Sequence, residues 1–206
     1  MLLIVDYGMG NVGAIRNMLA RIGVPEVKIS GDPADCEKAN KIILPGVGAF
    51  DVAVRNLERQ GLRDALVDAA GRRRTPILGI CLGMQLLASS SDEGVLPGLS
   101  LIPGRVKRLD ATVLGQRLRV PHMGWNDVTI TRPHPLLSGF VDGLRFYFVH
   151  SYHFVCDEEA NSIGVTNYGS PITTVVGREN VAGVQFHPEK SHRYGKKLLA
   201  NFTLAP

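Results

Sequence analysis

The 206-residue sequence contains no apolar run that approaches 18 residues, whereas a membrane-spanning helix needs about 20. The N-terminal residues 1–6 (Met-Leu-Leu-Ile-Val-Asp) have no basic region and no cleavage site, so they predict a first strand rather than a secretory signal. We therefore expect a cytoplasmic protein without membrane contact.

Cysteine is also scarce. Cys36, Cys81 and Cys156 are an odd and widely spaced set, which argues against a disulfide framework and against a metal cluster. A reducing compartment suits such a set. We expect neither a bound metal nor a cofactor.

The charge is modest, with a formal net value of +4 and 20% charged residues. The densest basic run, residues 72–74, follows a predicted helix, where cations complement the helix dipole, and no aromatic residue interleaves with it. Nucleic-acid binding is therefore not expected. A chain of this length with 45% hydrophobic residues predicts one core, and we expect a single domain over residues 1–206.

Strands and helices alternate through the first half of the chain. The predicted strands are 2–5, 27–29, 41–44 and 77–80, and the predicted helices are 12–21, 51–57 and 62–70. This alternation predicts a mostly parallel sheet with helices on both faces. A Gly-x-Gly pair at residues 8–10 would suit a dinucleotide site, but the third glycine of that motif is misplaced.

After residues 89–91 the segments become short and rich in β-branched and aromatic residues. The predicted strands include Val106, 118–120, 128–130, 146–149, 163–166, 172–176 and 181–185, and a final helix is predicted at 194–204. We interpret these strands as an antiparallel addition to the sheet rather than a second domain.

Cys81 follows the apolar strand 77–80 and lies two residues from Gly79 and from Gly83. This Gly-x-Cys-x-Gly spacing is typical of a sharp strand-to-helix turn that presents a nucleophile, because glycines allow backbone segments to approach closely. A helix is predicted to follow through residues 84–88, and its dipole would favour a thiolate. The alternative is a buried cysteine that packs as a small hydrophobe.

His187, one of six histidines, has the sequence context of a catalytic base. It follows a predicted strand, and Pro188 favours an extended backbone at His187, so that Glu189 can reach the same side as the imidazole. Nucleophile, base and orienting carboxylate form a triad. An exposed His-Pro-Glu turn is the alternative.

An oxyanion needs backbone donors, and two candidates are present. One is the N–H group of Leu82, directly after the nucleophile. The other is the loop of residues 45–48 (Pro-Gly-Val-Gly), whose glycines would let N–H groups face a cleft, although an ordinary tight turn would have the same composition.

Three segments together, residues 45–48, 79–85 and 186–189, resemble the motifs of the class I glutamine amidotransferases. The resemblance extends over nearly the whole chain through residues 121–126 (Pro-His-Met-Gly-Trp-Asn) and 146–152. It implies an α/β fold of the flavodoxin-like three-layer type, with a mostly parallel central sheet and an antiparallel addition.

The resemblance also implies a mechanism and site residues. Cys81 would attack the side-chain amide of glutamine, His187 would move protons, and Glu189 would orient His187. The implied oxyanion and substrate residues are Gly46, Val47, Gly48, Leu82, Gln85, His150, Ser151 and Tyr152.

The resemblance is strongest to members that pass ammonia to a separate (β/α)₈-barrel cyclase subunit. Exposed aromatic anchors are typical of interfaces, and we predict that Met123, Trp125, Tyr147 and Lys190 face that partner. Trp125, expected in a Gly-Trp-Asn turn, could instead be a core residue, and Lys190 a solvated surface charge. We also expect the isolated chain to be nearly inactive if the 45–48 loop rests with a carbonyl at the oxyanion position, the peptide most expected to turn being Val47–Gly48.

Three other functions stay open on the sequence alone. The chain could be an amidotransferase of the same class that feeds a different synthase, such as that for anthranilate or pyridoxal phosphate. It could be a cysteine peptidase or chaperone of related fold, although there a histidine commonly follows the cysteine and here Leu82 does. It could also be a catalytically silent binding subunit, against which the intact Cys81, His187 and Glu189 argue.

Overall fold

The structure is a computed structural model that describes residues 1–110, 112, 118–140 and 143–204. Its strands are β1 (Leu2–Val5), β2 (Val27–Ser30), β3 (Lys41–Leu44), β4 (Ile77–Ile80), β5 (Ser90–Ser91), β6 (Gly104–Arg108), β7 (His122–Asp127), β8 (Thr129–Ile130), β9 (Arg145–His150), β10 (Tyr152–Cys156), β11 (Ser162–Tyr168), β12 (Ser170–Arg178) and β13 (Val181–Val184). The α-helices are α1 (Val12–Ile22), α2 (Pro33–Lys38), α3 (Phe50–Arg59), α4 (Leu62–Gly71), α5 (Leu82–Gln85) and α6 (His192–Leu204).

Five parallel strands form the first part of the main sheet, in the order β2-β1-β3-β4-β13. This is the strand order of flavodoxin-like sheets. Alternate residues of β1 enter different cores: Leu3 and Val5 pack with α3 and α4, whereas Leu2 and Ile4 pack with α1 and α6. The prediction of a mostly parallel sheet covered on both faces is confirmed.

The second part of the main sheet is largely antiparallel. Beyond β13 the order continues β12-β10-β6, with the short β5 parallel to β6, and β11 and β8 branch from β12. The strands β7 and β9 form a separate antiparallel pair, the two-stranded sheet, in which His122 lies opposite His150 and Trp125 opposite Tyr147. The predicted antiparallel addition is confirmed.

The strand predicted at 118–120 is wrong. These residues have no regular structure and lead into β7 through a cis Val120–Pro121 peptide. The backbone of Arg119 is satisfied by a side chain instead of a neighbouring strand, because its N–H donates to the Tyr168 hydroxyl and its carbonyl accepts from the same hydroxyl.

The helix predicted after Cys81 is shorter than expected. It covers only Leu82–Gln85, because the carbonyls of Leu86 and Leu87 accept hydrogen bonds from the N–H groups of Leu99 and Leu101 rather than from a continuing helix. A helix of one turn has little dipole, so the expected dipole effect on the thiol has little structural basis.

Trp125 lies inside β7 and not in a turn, which corrects that prediction. The elements α2, β5, β7 and β10 were not predicted from the sequence. Among the described residues, no helix combines the length and apolar character needed to cross a membrane.

Candidate active site

Cys81 sits on a strained turn between β4 and α5. Its backbone has φ 55° and ψ −110°, a conformation that residues with a side chain rarely adopt. The turn is tied to the sheet because the Cys81 N–H donates to the Val184 carbonyl at 2.8 Å. Cys81 therefore sits at the carboxyl end of β4, as a nucleophile elbow requires.

The two framing glycines are required by close backbone contacts. A Cβ atom at Gly83 would lie 1.8 Å from the Leu44 carbonyl oxygen, and one at Gly79 would lie 2.6 Å from the Gly83 oxygen. Neither position can hold a side chain without a backbone shift. The structure thus confirms the physical reason given for the glycine spacing, which is the close approach of backbone segments.

The loop of residues 45–48 packs beside the elbow. Pro45 is fixed by Tyr7, whose buried hydroxyl donates to the Pro45 carbonyl at 2.7 Å. Burial, with the nearby Cys81 as a second cause, raises the pKa of Tyr7, so its hydroxyl stays a donor. Gly46 is confined in the same way as the elbow glycines, because a Cβ there would lie 2.6 Å from the Tyr7 oxygen.

The backbone N–H group of Leu82, the expected oxyanion donor, already makes a hydrogen bond. Its N–H donates to the Gly46 carbonyl at 3.3 Å. The loop thus presents a carbonyl to the position where an oxyanion would need N–H groups. The carbonyl belongs to the Gly46–Val47 peptide, and not to the Val47–Gly48 peptide named from the sequence.

His187 and Glu189 meet in the geometry expected for a base and its orienting carboxylate. Nδ1 of His187 lies 2.7 Å from Oε1 of Glu189, and each side chain is 3% exposed. Burial lowers the pKa of His187, but the adjacent Cys81 and Glu189 outweigh burial and raise it to about 10. Nε2 of His187 is buried and has no hydrogen-bond partner among the described residues, which leaves this nitrogen available to reacting atoms.

The segment that carries His187 and Glu189 rests on β9. The His187 N–H donates to the Tyr147 carbonyl at 2.9 Å, and the Tyr147 N–H donates to the Ser191 hydroxyl at 3.0 Å. That hydroxyl in turn donates to the His187 carbonyl at 2.6 Å. One edge of β9 therefore holds this base segment, while the other edge pairs with β7.

A cavity of about 360 Å³ opens beside Cys81 and His187. Most of the residues predicted for oxyanion or substrate binding line this cavity: Val47, Gly48, Leu82, Gln85, His150, Ser151 and Tyr152. Gly46 is not among the lining residues, but its carbonyl accepts the Leu82 N–H. The residues predicted from distant parts of the sequence are thus brought together in one site.

Gln85 connects the cavity wall with the nucleophile. Its side-chain amide donates to the Tyr152 carbonyl at 3.1 Å and to Oε1 of Gln185 at 3.0 Å. Nε2 of the fully buried Gln185 lies 3.8 Å from the Cys81 sulfur. The side-chain amide of Gln185 therefore faces the reacting sulfur.

Three residues of the site were missed from the sequence: Tyr7, Gln185 and Glu93. Glu93 is the one carboxylate among the described residues that line the cavity. Its Oε2 accepts the Phe50 N–H at 3.0 Å, while burial, together with Asp51, raises its pKa. Gln185 lies two residues before His187 in the sequence, and this spacing is the signal that could have identified it. Glu93 follows a short serine run and carries no such signal.

The four residues predicted to face a partner form one surface. Met123 and Trp125 are 62% and 39% exposed on the same side of β7, which argues against Trp125 as a core residue. The Trp125 and Tyr147 rings lie 6.3 Å apart, and the Lys190 ammonium lies 5.6 Å from the Tyr147 ring centre. His192, not predicted, stacks on Trp125 at 5.5 Å. We call Met123, Trp125, Tyr147, Lys190 and His192 the aromatic patch.

Residues 3–205 match the sequence pattern of the family described as glutamine amidotransferase class-I. The chain belongs to this family. Class I amidotransferases act on glutamine, so this chain is a glutamine amidotransferase and an enzyme.

Two relatives of this amidotransferase carry a more specific name. A protein of Methanococcus maripaludis named imidazole glycerol phosphate synthase subunit HisH 2 is 46% identical over 98% of each chain. A protein of Sulfurimonas denitrificans named imidazole glycerol phosphate synthase subunit HisH is 49% identical over 98% of this chain and 97% of its own.

A solved amidotransferase structure shares the fold. The crystal structure of a glutamine amidotransferase from Thermotoga maritima superposes with a TM-score of 0.66 over 98% of this chain and 81% of that chain. The sequences are 18% identical, so this similarity shows the fold alone.

Proposed function

We propose that residues 1–206, as one domain, are the glutaminase subunit of imidazole glycerol phosphate synthase in histidine biosynthesis. One observation carries this proposal: Cys81 and His187 line the same cavity, and Oε1 of Glu189 lies 2.7 Å from Nδ1 of His187. The two relatives described above, which match nearly the full length, support the choice of synthase. The free thiols of Cys36, Cys81 and Cys156 suit a cytoplasmic location.

The proposed reaction proceeds in two steps through a thioester. The Cys81 thiolate attacks the side-chain carbonyl carbon of glutamine, the C–N bond breaks, and ammonia leaves with a proton from Nε2 of His187. His187, now neutral, takes a proton from water, and the resulting hydroxide attacks the thioester carbon. Glutamate leaves and the thiolate is restored. Glu189 holds the imidazole through Nδ1 during both transfers.

The two ends of glutamine need opposite partners. Glu93 is the carboxylate of the cavity, and we assign it to the substrate's α-ammonium group. Gln85 and the backbone of His150, Ser151 and Tyr152 line the other part of the wall, and we assign to them the α-carboxylate and the remaining substrate contacts. Binding both ends would fix the amide carbon next to the Cys81 sulfur.

The occupied Leu82 N–H supports gated activity. Because the Gly46 carbonyl accepts this N–H, the Leu82 donor is not available to an oxyanion in the resting loop. We propose that the Gly46–Val47 peptide turns in the active state, which frees the Leu82 N–H and brings the Val47 N–H into the cavity beside Gly48. Loss of one oxyanion donor costs about 10² to 10³ in turnover, so this turn would suffice as a switch.

We propose a heterodimer in which the aromatic patch contacts a (β/α)₈-barrel cyclase subunit. The patch combines exposed Met and Trp side chains with a lysine over a tyrosine ring, a composition typical of interface anchors. Ammonia would pass to the cyclase, which uses it to form imidazole glycerol phosphate and aminoimidazole carboxamide ribotide.

The test measures glutamate release from glutamine by the purified chain, alone and with the cyclase and its ribonucleotide ligand. We expect a rise of about 10² or more only in the complex, because the Leu82 N–H group is occupied in the resting loop. Cys81→Ser should abolish this activity, and the matched Cys156→Ser, at a cysteine outside the cavity, should keep it. Equal activity with and without the cyclase would overturn the gating and the choice of synthase, and activity that survives Cys81→Ser would overturn the mechanism.

A further inference from the structure

At the cavity wall lies a pair of histidines whose imidazole rings have no role in the proposed chemistry. His122 on β7 and His150 on β9 are 2% and 6% exposed, and Nδ1 of His122 lies 2.9 Å from Nε2 of His150. The other ring nitrogen of His150, Nδ1, lies 2.8 Å from the Tyr152 carbonyl oxygen.

The neighbours of the pair fix which nitrogen carries each proton. The Asn126 side-chain amide donates to the Asn167 carbonyl and to Nε2 of His122, each at 3.3 Å, so Nε2 of His122 accepts. A neutral imidazole has one donor and one acceptor nitrogen. Nδ1 of His122 therefore donates to Nε2 of His150, and Nδ1 of His150 donates to the Tyr152 carbonyl.

Burial keeps both rings in the neutral form that this order requires. It lowers the pKa of His122 to about 4. Burial first, and then the nearby His122, lowers the pKa of His150 to about 3. Neither ring is charged at neutral pH, and all the bonds run in one direction, from Asn126 to the Tyr152 carbonyl.

The carbonyl at the end of this chain belongs to the cavity wall. His150, Ser151 and Tyr152 line the cavity at the point where the backbone leaves the two-stranded sheet and joins the main sheet as β10. The Tyr152 carbonyl also accepts the bond from Gln85. The histidine pair thus anchors the segment whose backbone faces the substrate.

We propose that His122 is a positioning residue for glutamine: through its hydrogen bond to His150, it holds residues 150–152 in the conformation that receives the substrate's carboxylate end. This inference rests on the proposed function. His122 itself touches neither the cavity nor the reacting atoms, and it acts through His150 alone.

Two substitutions separate this role from simple packing. His122 stacks between Phe148 at 4.6 Å and Tyr168 at 3.9 Å, so His122→Phe keeps a ring in the stack and removes the donor. His122→Asn loses the ring but places an amide N–H close to the former Nδ1 position. If His122 acts only by packing, His122→Phe should retain more function than His122→Asn. If the proposed hydrogen bond matters, His122→Asn should retain more.

The experiment measures kcat and KM for glutamine in the complex with the cyclase and its ligand. We expect His122→Phe to raise KM about tenfold, the typical effect of one lost hydrogen bond, with kcat within about twofold. His122→Asn should restore KM to within about threefold of the parent value. The control His134→Phe, at a histidine that caps Leu136 outside this cavity, should leave KM unchanged.

Imidazole ¹⁵N spectra supply a readout that needs no turnover. We expect the His150 signals of a ring protonated at Nδ1, and a shift of its Nε2 signal in His122→Phe. A lower KM for His122→Phe than for His122→Asn, or a His150 ring protonated at Nε2, would overturn this inference but not the proposed function. A wild-type complex without glutaminase activity would overturn the proposed function and the inference with it.

Discussion

The two sides of the cavity are built by different means. The nucleophile side, Cys81 with the 45–48 loop, is held by backbone contacts so close that Gly79 and Gly83 cannot carry a side chain. The base and substrate side is held by side-chain hydrogen bonds, those of His187–Glu189 and His122–His150 among them. Backbone contacts tolerate no added atom, whereas side-chain bonds can be removed one at a time with graded effects.

Glu189→Gln, on the base and substrate side of the cavity, should give the largest loss of kcat. The substitution keeps the size of the side chain and removes its charge, so the imidazolium loses support and kcat should fall by about 10² to 10⁴. Steady-state glutaminase assays in the complex would measure this loss. The control Glu179→Gln removes a carboxylate that pairs with Arg74 outside the cavity and should leave kcat unchanged.

The same variant should change how stability depends on pH. The folded-state pKa of His187 lies above its ordinary value of 6.5, so its protonation stabilises the fold fully below pH 6.5, and this contribution is lost as pH rises towards about 10. Urea unfolding at several pH values should show that loss in the parent protein and a smaller one in Glu189→Gln. An identical pH dependence in both proteins would contradict the role of Glu189.

Gly83→Ala should give the next effect, on the backbone side. The new Cβ would lie 1.8 Å from the Leu44 oxygen, so the elbow or β3 must move. We expect the free energy of unfolding to fall by about 1–3 kcal/mol, and kcat by about 10²-fold because the sulfur is displaced. Urea titration and glutaminase assays measure the two. Gly71→Ala, at a helix glycine with open space around it, is the control. Equal losses in the two variants would contradict the claim that close backbone contacts support the nucleophile side.

Tyr7→Phe should give the smallest effect, because it removes a side-chain bond from the backbone-built side. Without its hydroxyl the Pro45 carbonyl loses a 2.7 Å hydrogen bond, which should cost about 1 kcal/mol of stability and reduce kcat about three- to tenfold. Thermal unfolding and kcat in the complex provide the measurements. If Tyr7→Phe lowered stability and kcat as much as Gly83→Ala does, backbone contacts would not be the main support of the nucleophile side.

The sequence made the parallel half of the fold predictable, because apolar strands such as Ile77–Ile80 alternate with amphipathic helices such as α3. The elbow was predictable for a local reason, since Gly79 and Gly83 act within four residues of each other. His187 and Glu189 were equally local, because they lie two residues apart. Only His187 is extended, however, and Glu189 lies in a 3-10 turn, Pro188–Lys190, which corrects the expectation of an extended segment.

The antiparallel half was harder because its contacts join distant residues. The strand predicted at 118–120 failed since Tyr168, far along the chain, satisfies the Arg119 backbone. β7 was missed because its inner side carries two polar residues, His122 and Asn126. Their partners lie far away in the sequence: His122 contacts His150 on β9, and Asn126 donates to the Asn167 carbonyl on β11. The orientation of the Gly46 carbonyl likewise leaves no mark on composition or spacing.

The position of β9 has a consequence for how this enzyme can vary. One of its edges carries the segment of the catalytic base and the other pairs with the strand that bears Trp125, while its end becomes the substrate wall. A sliding of β9 by a fraction of a residue must displace the proton-transfer group and the binding wall in the same movement. A change in β9 should therefore alter substrate affinity and turnover at the same time. An enzyme with a different partner would need to exchange β7 and β9 as one unit.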